Sequence, residues 1–299
     1  MRELEEKHTV KTTSFESDLK GASCVVKQLF PKTKLNKNAI HILFAHGALE
    51  HGQRHIPLFN ALRAHFKKKL LITYFDLVGH GESSGSRGYI DSFDTYTQDY
   101  LKFTRSSLDL YHEHNFKTFL IGHSLGGMIS LSAISIQKMK LPFYIDGVIL
   151  SNPCIKAKLE LPDLAVKLVS KLRGHLGKLR INNLYDGYNL TRDNQRALDF
   201  NSDPLILKYI TLSMGLAINE YSEKIFNESY YINTPILFQL SGDDEIVSNE
   251  ATMSFIKGMK KNLVKISNFE EAKHDLYNET CRSDAFQEII NYIEEILGA

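Results

Sequence analysis

Continuous apolar runs and helical stripes alternate along this chain. "AIHILFAHG" (39–47) and "LLITYFD" (70–76) read as buried strands. Between them "IPLFNALRAHF" (56–66) sets Phe59, Leu62 and Phe66 at helical spacing. "SFDTYTQDYLKF" (92–103) puts Phe93, Tyr96, Tyr100 and Phe103 on one stripe, with Ser92 as the expected N-cap. "TFLI" before Gly122 is a short strand. "LGGMISLSAISIQKM" is a helix with Met128, Leu131 and Ile134 in line and Ala133 and Ile136 beside them. "IDGVILSNP" (145–153) and "PILFQLSG" (235–242) are strands. "ATMSFIKGM" (251–259), "NLVKISN" (262–268) and "DAFQEIINYIEEIL" (284–297) then read helix, strand, helix. Strands separated by helices predict an α/β fold, a mostly parallel sheet covered on both faces. "TTSFES" and "CVVKQLF" near the start predict a small antiparallel edge.

The alternation fails between residues 154 and 230, where no good strand is expected. "LPDLAVKLVSKLRGHLGKL" places Leu161, Leu164, Leu168, Leu172, Leu176 and Leu179 on one face. Residues 156–180 hold seven lysines and arginines against Glu160 and Asp163, a local excess of five positive charges. The expected organisation is a core of 1–153 and 231–299 carrying an inserted helical cap of 154–230. Such a helix either packs on the body or forms an apolar lid whose cations meet anionic lipid head groups.

The chain has 299 residues and a net charge of +1, so it carries no global nucleic-acid footprint. Three cysteines, with no C-x-x-C spacing, point to a reducing, cytoplasmic setting and away from a metal–thiolate site. The charged start lacks the apolar core of a signal peptide, and no run approaches the ~18 apolar residues of a membrane span. His46, His51, His55 and His65 raise a metal reading, but their spacing matches no common zinc motif, and no metal is expected.

One stretch carries chemistry. "GHSLGG" is G-x-S-x-G, with Ser124 between Gly122 and Gly126 where the strand turns into the helix. Such a turn forces the serine into a strained backbone, exposes its hydroxyl at the sheet edge and sets it at a helix N-terminus. A serine hydroxyl needs a base, and the base needs an acid, which in such sheets follow later in the chain. Asp243 and Asp244 both end the strand "ILFQLSG", and either fits. His274 occupies the loop before the last helix. In the turn "HGALEH" the N–H of Ala48, with that of Leu125, is placed to bind an oxyanion.

Together "HGALEHGQR", "DLVGHGESSGSRGYIDSFDTYTQD", "GHSLGG", "SGDDEIV" and "AKHDLYNE" resemble the monoacylglycerol lipase and lysophospholipase-like group of α/β-hydrolases, of serine aminopeptidase S33 type. The resemblance runs from about residue 40 to the C-terminus. It implies Ser124 as nucleophile, Asp244 rather than Asp243 as acid, His274 as base, and Ala48 and Leu125 as oxyanion donors. Glu50 and Arg54 match positions near the head-group side of the pocket, unless they form a structural ion pair. His123 is grouped with them as a candidate substrate contact. The implied reaction is cofactor-free hydrolysis of a single-chain lipid ester, with peripheral membrane contact through the cap. Other acyl hydrolases or transferases of the fold (aminopeptidase, thioesterase) and a non-catalytic binding protein are the alternatives.

Overall fold

The structure is a computed structural model that describes residues 7–36, 38–109, 116–136, 144–158, 171, 176–182 and 185–298. Two strands, β1 (His8–Glu16) and β2 (Ser23–Pro31), pair antiparallel as the expected edge. There follow β3 (Ile40–Ala45), α1 (Ile56–Phe66), β4 (Leu70–Phe75), α2 (Phe93–Asp109), β5 (Lys117–His123), α3 (Leu125–Ile136) and β6 (Gly147–Ser151). The chain then leaves the sheet through β7 (Arg180–Asn182), α4 (Gly187–Leu190), α5 (Asn194–Ser202), β8 (Tyr209–Thr211) and α6 (Leu212–Ile225). It returns in β9 (Ile236–Ser241), α7 (Asn249–Lys257), β10 (Val264–Phe269) and α8 (Arg282–Leu297).

Eight strands form one sheet in the order β1-β2-β4-β3-β5-β6-β9-β10, parallel from β4 to β10. The central strands are buried on both faces, which is why they read as unbroken apolar runs. Along β3 the side chains alternate. Ile42 and Phe44 join Leu58, Phe59 and Leu62 of α1 and Ile289 and Ile293 of α8. Leu43 and Ala45 join Tyr100 and Phe103 of α2 and Met128 and Leu131 of α3. Truncating one such core ring, as in Phe59→Ala, costs about 3–5 kcal/mol. Ser92 caps α2: its hydroxyl accepts the Asp94 N–H at 3.2 Å.

The segment between β6 and β9 corrects one expectation, because it contains strands. β7 and β8 pair antiparallel as a separate two-stranded sheet, with Ile181 opposite Ile210. Three-residue strands are too short to show a period of two, so the pattern could not reveal them. The leucine stripe of 161–179 lies largely outside the described residues; of its members, Leu179 is exposed.

Candidate active site

Ser124 sits one residue past β5 with φ of +51°, the left-handed region that L-residues avoid. The strain is held by the surroundings. The Ser124 N–H donates to the Ser151 carbonyl at 2.9 Å, and its own carbonyl accepts from Cys154 N–H at 2.9 Å. A Cβ at Gly122 would stand 2.6 Å from the Gly126 carbonyl oxygen, and one at Gly126 would stand 2.2 Å from that of Ala45. Only glycines let strand and helix approach this closely. Leu125 opens α3, so its N–H has no carbonyl one turn back to bond.

Two loops from the far half of the sheet meet this serine. His274 Nε2 lies 2.8 Å from Ser124 Oγ, and His274 Nδ1 lies 2.7 Å from Asp244 Oδ2. With the ring proton on Nδ1, donated to the carboxylate, Nε2 is free to accept the hydroxyl proton. Asp244 is fixed in turn, because its Oδ1 accepts the N–H groups of Ile246 (2.8 Å) and Val247 (3.0 Å). Asp243 points the other way and pairs with Arg192 at 2.7 Å in solvent. The two acids are separated by the turn at Gly242–Asp243 that follows β9.

Burial opposes charge on both partners but is outweighed. It pushes the Asp244 carboxyl up, yet the adjacent His274 and the N–H donors hold the net value below the usual carboxylate range. Burial pushes His274 down, yet Asp244 first, then Asp275 and Glu50, raise it above an ordinary imidazole. The loop carrying the imidazole is anchored by Asn152, another left-handed residue (φ +42°), whose side-chain amide donates to the His274 carbonyl at 2.7 Å.

Beside this chain lies a buried ionic network. Glu50 Oε1 accepts the Gly47 N–H at 2.6 Å and faces His55 Nε2 at 2.9 Å; Glu50 Oε2 accepts from Arg54 Nε at 3.2 Å. Arg54 Nη2 reaches Asp275 at 2.6 Å. Burial penalises Glu50, but His55, His123 and Arg54 hold its carboxyl well below the usual range. Asp275 is likewise lowered against its burial, chiefly by Arg54. His123, packed on His274 with ring centroids 5.1 Å apart, is driven by burial to about 4 and stays neutral. Arg54 thus spends its charge on two carboxylates, the structural-pair alternative of the sequence reading. The network holds the turn carrying Ala48, since Glu50 binds the residue before it.

These groups open into a cavity of about 370 Å³. Ser124, His274, Ala48, Leu125, His123, Glu50 and Asp275 line one part. Elsewhere the wall is mostly apolar and comes largely from the segment between β6 and β9: Ile181, Leu190, Phe200, Ile210, Gly215 and Ile218, with the polar Asn219 and Ser222 on the same helix as the last two. The four histidines weighed as a metal cluster have separate partners. His46 bonds Gly47 O and Leu77 N–H, His51 Asp203, His55 Glu50 and His65 Glu294.

Sequence reasoning missed Asp275, Asn152 and Glu279. Glu279, fully buried, accepts from the Thr191 hydroxyl and from the N–H groups of Arg192 (2.7 Å) and Thr280 (3.1 Å). The only sequence signal for these residues was their position beside the loops already singled out.

A doubly covered parallel sheet with an antiparallel edge, and a serine on the turn after its central strand, define an α/β-hydrolase. The family model described as "Serine aminopeptidase, S33" matches residues 36–281, and the chain belongs to that family. It is 30% identical over 224 residues to the uncharacterized protein YnbC of Escherichia coli (strain K12), a match covering 74% of this chain but 37% of that longer protein. It is 27% identical to the monoglyceride lipase of Rattus norvegicus, over 80% of this chain and 76% of that one. Among solved structures, a soluble variant of monoglyceride lipase from Saccharomyces cerevisiae, in complex with a substrate analog, superposes with a TM-score of 0.81. That pair is 21% identical and covers 97% of this chain and 96% of the other.

Proposed function

We propose that the protein is a serine carboxylester hydrolase acting on single-chain lipid esters, monoacylglycerols or lysophospholipids. The observation that carries the reading is the serine–imidazole–carboxylate chain of 2.8 and 2.7 Å beside a largely apolar cavity that Ser124 and His274 line. Ser124 Oγ attacks the ester carbonyl while His274 Nε2 takes its proton. Asp244 fixes the tautomer and stabilises the imidazolium. The backbone N–H groups of Ala48 and Leu125 receive the oxyanion, each worth about 2.7–4 kcal/mol in such sites. Collapse expels the alcohol, which takes the proton from His274. Water, deprotonated by the same imidazole, then attacks the acyl-enzyme and releases the fatty acid. Every proton transfer is served by His274, so the scheme calls for no cofactor.

Residues 154–230 serve in this reading as a cap over the site. Among the described residues no helix is long and apolar enough to cross a membrane. In this reading the lipid is met peripherally, through the cations near 156–180. A peptidase reading would want an uncompensated acid for a free amine. Both cavity acids, Glu50 and Asp275, are instead paired with Arg54, which favours the ester.

The test is Ser124→Ala assayed on p-nitrophenyl esters and monoacylglycerols, with fluorophosphonate labelling of the wild type. Loss of turnover on the order of 10⁶-fold is expected, together with a single adduct on Ser124. Undiminished hydrolysis by a folded Ser124→Ala protein refutes the reading.

A further inference from the structure

A glycine inside a helix is unfavourable relative to alanine, so its presence calls for a reason. Most glycines of this protein have one. Gly52, Gly122, Gly126, Gly187 and Gly242 would each drive a Cβ to within 2.6 Å of another atom, and Gly79, Gly81, Gly85 and Gly88 hold positive φ. Among the glycines whose surroundings are described, Gly215 alone lacks a positive φ and also has no atom nearer than 3.5 Å to a Cβ built on it. It lies in the first turn and a half of the fourteen-residue α6. A Cβ built there meets only Ile210 Cδ1 at 3.5 Å and Ile181 Cδ1 at 4.0 Å, ordinary contact distances. The fold therefore does not need a glycine at this place.

What Gly215 does have is a position on the cavity wall. Gly215, Ile181 and Ile210 all line the space into which Ser124 opens, and Ile218, one turn on along α6, continues the same apolar surface. The acids and the imidazole, Glu50, Asp275 and His123, belong to the sheet side instead. An ester bound at Ser124 thus finds charged and imidazole groups on one side and, on the other, a mostly apolar wall with one missing side chain, which Asn219 and Ser222 continue further along α6.

We propose that Gly215 determines acyl-chain specificity: its missing side chain, over the isoleucine pair of β7 and β8, is the groove along which the fatty acyl chain runs. The inference rests on the lipid-ester reading above and goes beyond it by naming the residue that admits the long chain. A leucine or phenylalanine at 215 is expected to fill the groove; a Cβ built there has no atom of Ser124, His274, Asp244 or Ala48 within 4 Å. Short esters, which never reach it, are unaffected.

The experiment compares wild type, Gly215→Ala, Gly215→Leu and Gly215→Phe on p-nitrophenyl butyrate and p-nitrophenyl palmitate, with thermal unfolding of each. The Leu and Phe variants should lose at least about tenfold in kcat/KM on palmitate while holding butyrate turnover, and the Ala variant should stay close to wild type on both. Parallel loss on both esters, or an unchanged chain-length profile in folded variants, overturns the assignment of Gly215 and leaves the hydrolase reading intact. A second readout separates the two ideas. Binding of the fluorescent fatty acid cis-parinaric acid should weaken by a similar factor in the Leu and Phe variants, even in a Ser124→Ala background that turns nothing over. If no ester is hydrolysed but this binding is lost as described, the hydrolase reading fails and the groove stands. If binding is equal in all variants, the groove fails.

Discussion

The loop that carries His274 and the roof made by β7, β8 and α6 face the same cavity and present different groups to it. The loop is held by directed bonds. Its residues give and take hydrogen bonds with the segment 188–193: Asp275 N–H to the Leu190 carbonyl at 2.8 Å, Lys273 Nζ to the Tyr188 carbonyl at 2.6 Å, and Glu279 to Thr191 and Arg192. The roof is tied to the body by its own bonds, the Thr211 and Ser213 hydroxyls donating to the Gly88 and Ile90 carbonyls, but what it turns to the cavity is mostly apolar side chain, with one position, 215, left unfilled. Proton transfer needs atoms fixed to a fraction of an ångström, which directed bonds supply. An acyl chain needs shape and dryness, which packing supplies and which tolerate a methyl group more or less. Substitutions in the loop should therefore change rate, and substitutions in the roof should change which substrate is used.

Neighbouring acids give the sharpest break. Asp244→Asn is expected to lower kcat by about 10⁴-fold with the fold intact, since the imidazole loses the partner that sets its tautomer. Asp243→Asn, altering an exposed pair with Arg192, should change stability by no more than about 0.5 kcal/mol and leave turnover near wild type. Equal effects from the two would refute the site. Glu279→Gln tests the clamp. Losing a buried acceptor of several N–H and O–H groups should cost about 1–3 kcal/mol in urea unfolding and slow turnover of short and long esters alike.

Titration gives the next effect. His274 must be neutral to act as base, and its pKa is raised above the ordinary 6.5 because its three acidic neighbours outweigh burial. The acid limb of kcat/KM should accordingly lie above that value and move down in Asp244→Asn. Stability follows the opposite direction. A folded-state pKa above the unfolded one means that the contribution is complete below about 6.5 and fades as pH rises through the folded value. A His274→Gln variant should lack this fall in stability with rising pH. The smallest effect belongs to the roof: Gly215→Ala should stabilise the protein by about 0.4–1 kcal/mol, because nothing obstructs the added methyl group and the unfolded chain loses freedom.

What the sequence disclosed and what it hid follow the same division. Strands buried on both faces and helices with a clear stripe write their identity locally, so β3 to β6, α1, α2 and the turn at Ser124 were legible, down to the glycines that permit it. His274 was legible by its place after the last parallel strand. The strands β7 and β8 were not, being too short for any period. Nor was the Arg54–Asp275 pair, which joins residues 221 apart. No local pattern announces a contact of that span, and the same holds for Glu279 and Thr191. Resemblance alone favoured Asp244 over Asp243; the residue pattern left them equal, and only the direction of each side chain separates them.

The strand order carries a consequence for how this molecule fails. β5, which delivers Ser124, is paired on both sides, whereas β10, which precedes His274, is paired with β9 alone. Amide exchange should therefore be slower around the serine than along β10. On gentle heating or in dilute denaturant, local fraying would part the imidazole from the hydroxyl before the global transition begins. Such a molecule would fall silent while still folded, and would regain its function on cooling as the last strand re-forms.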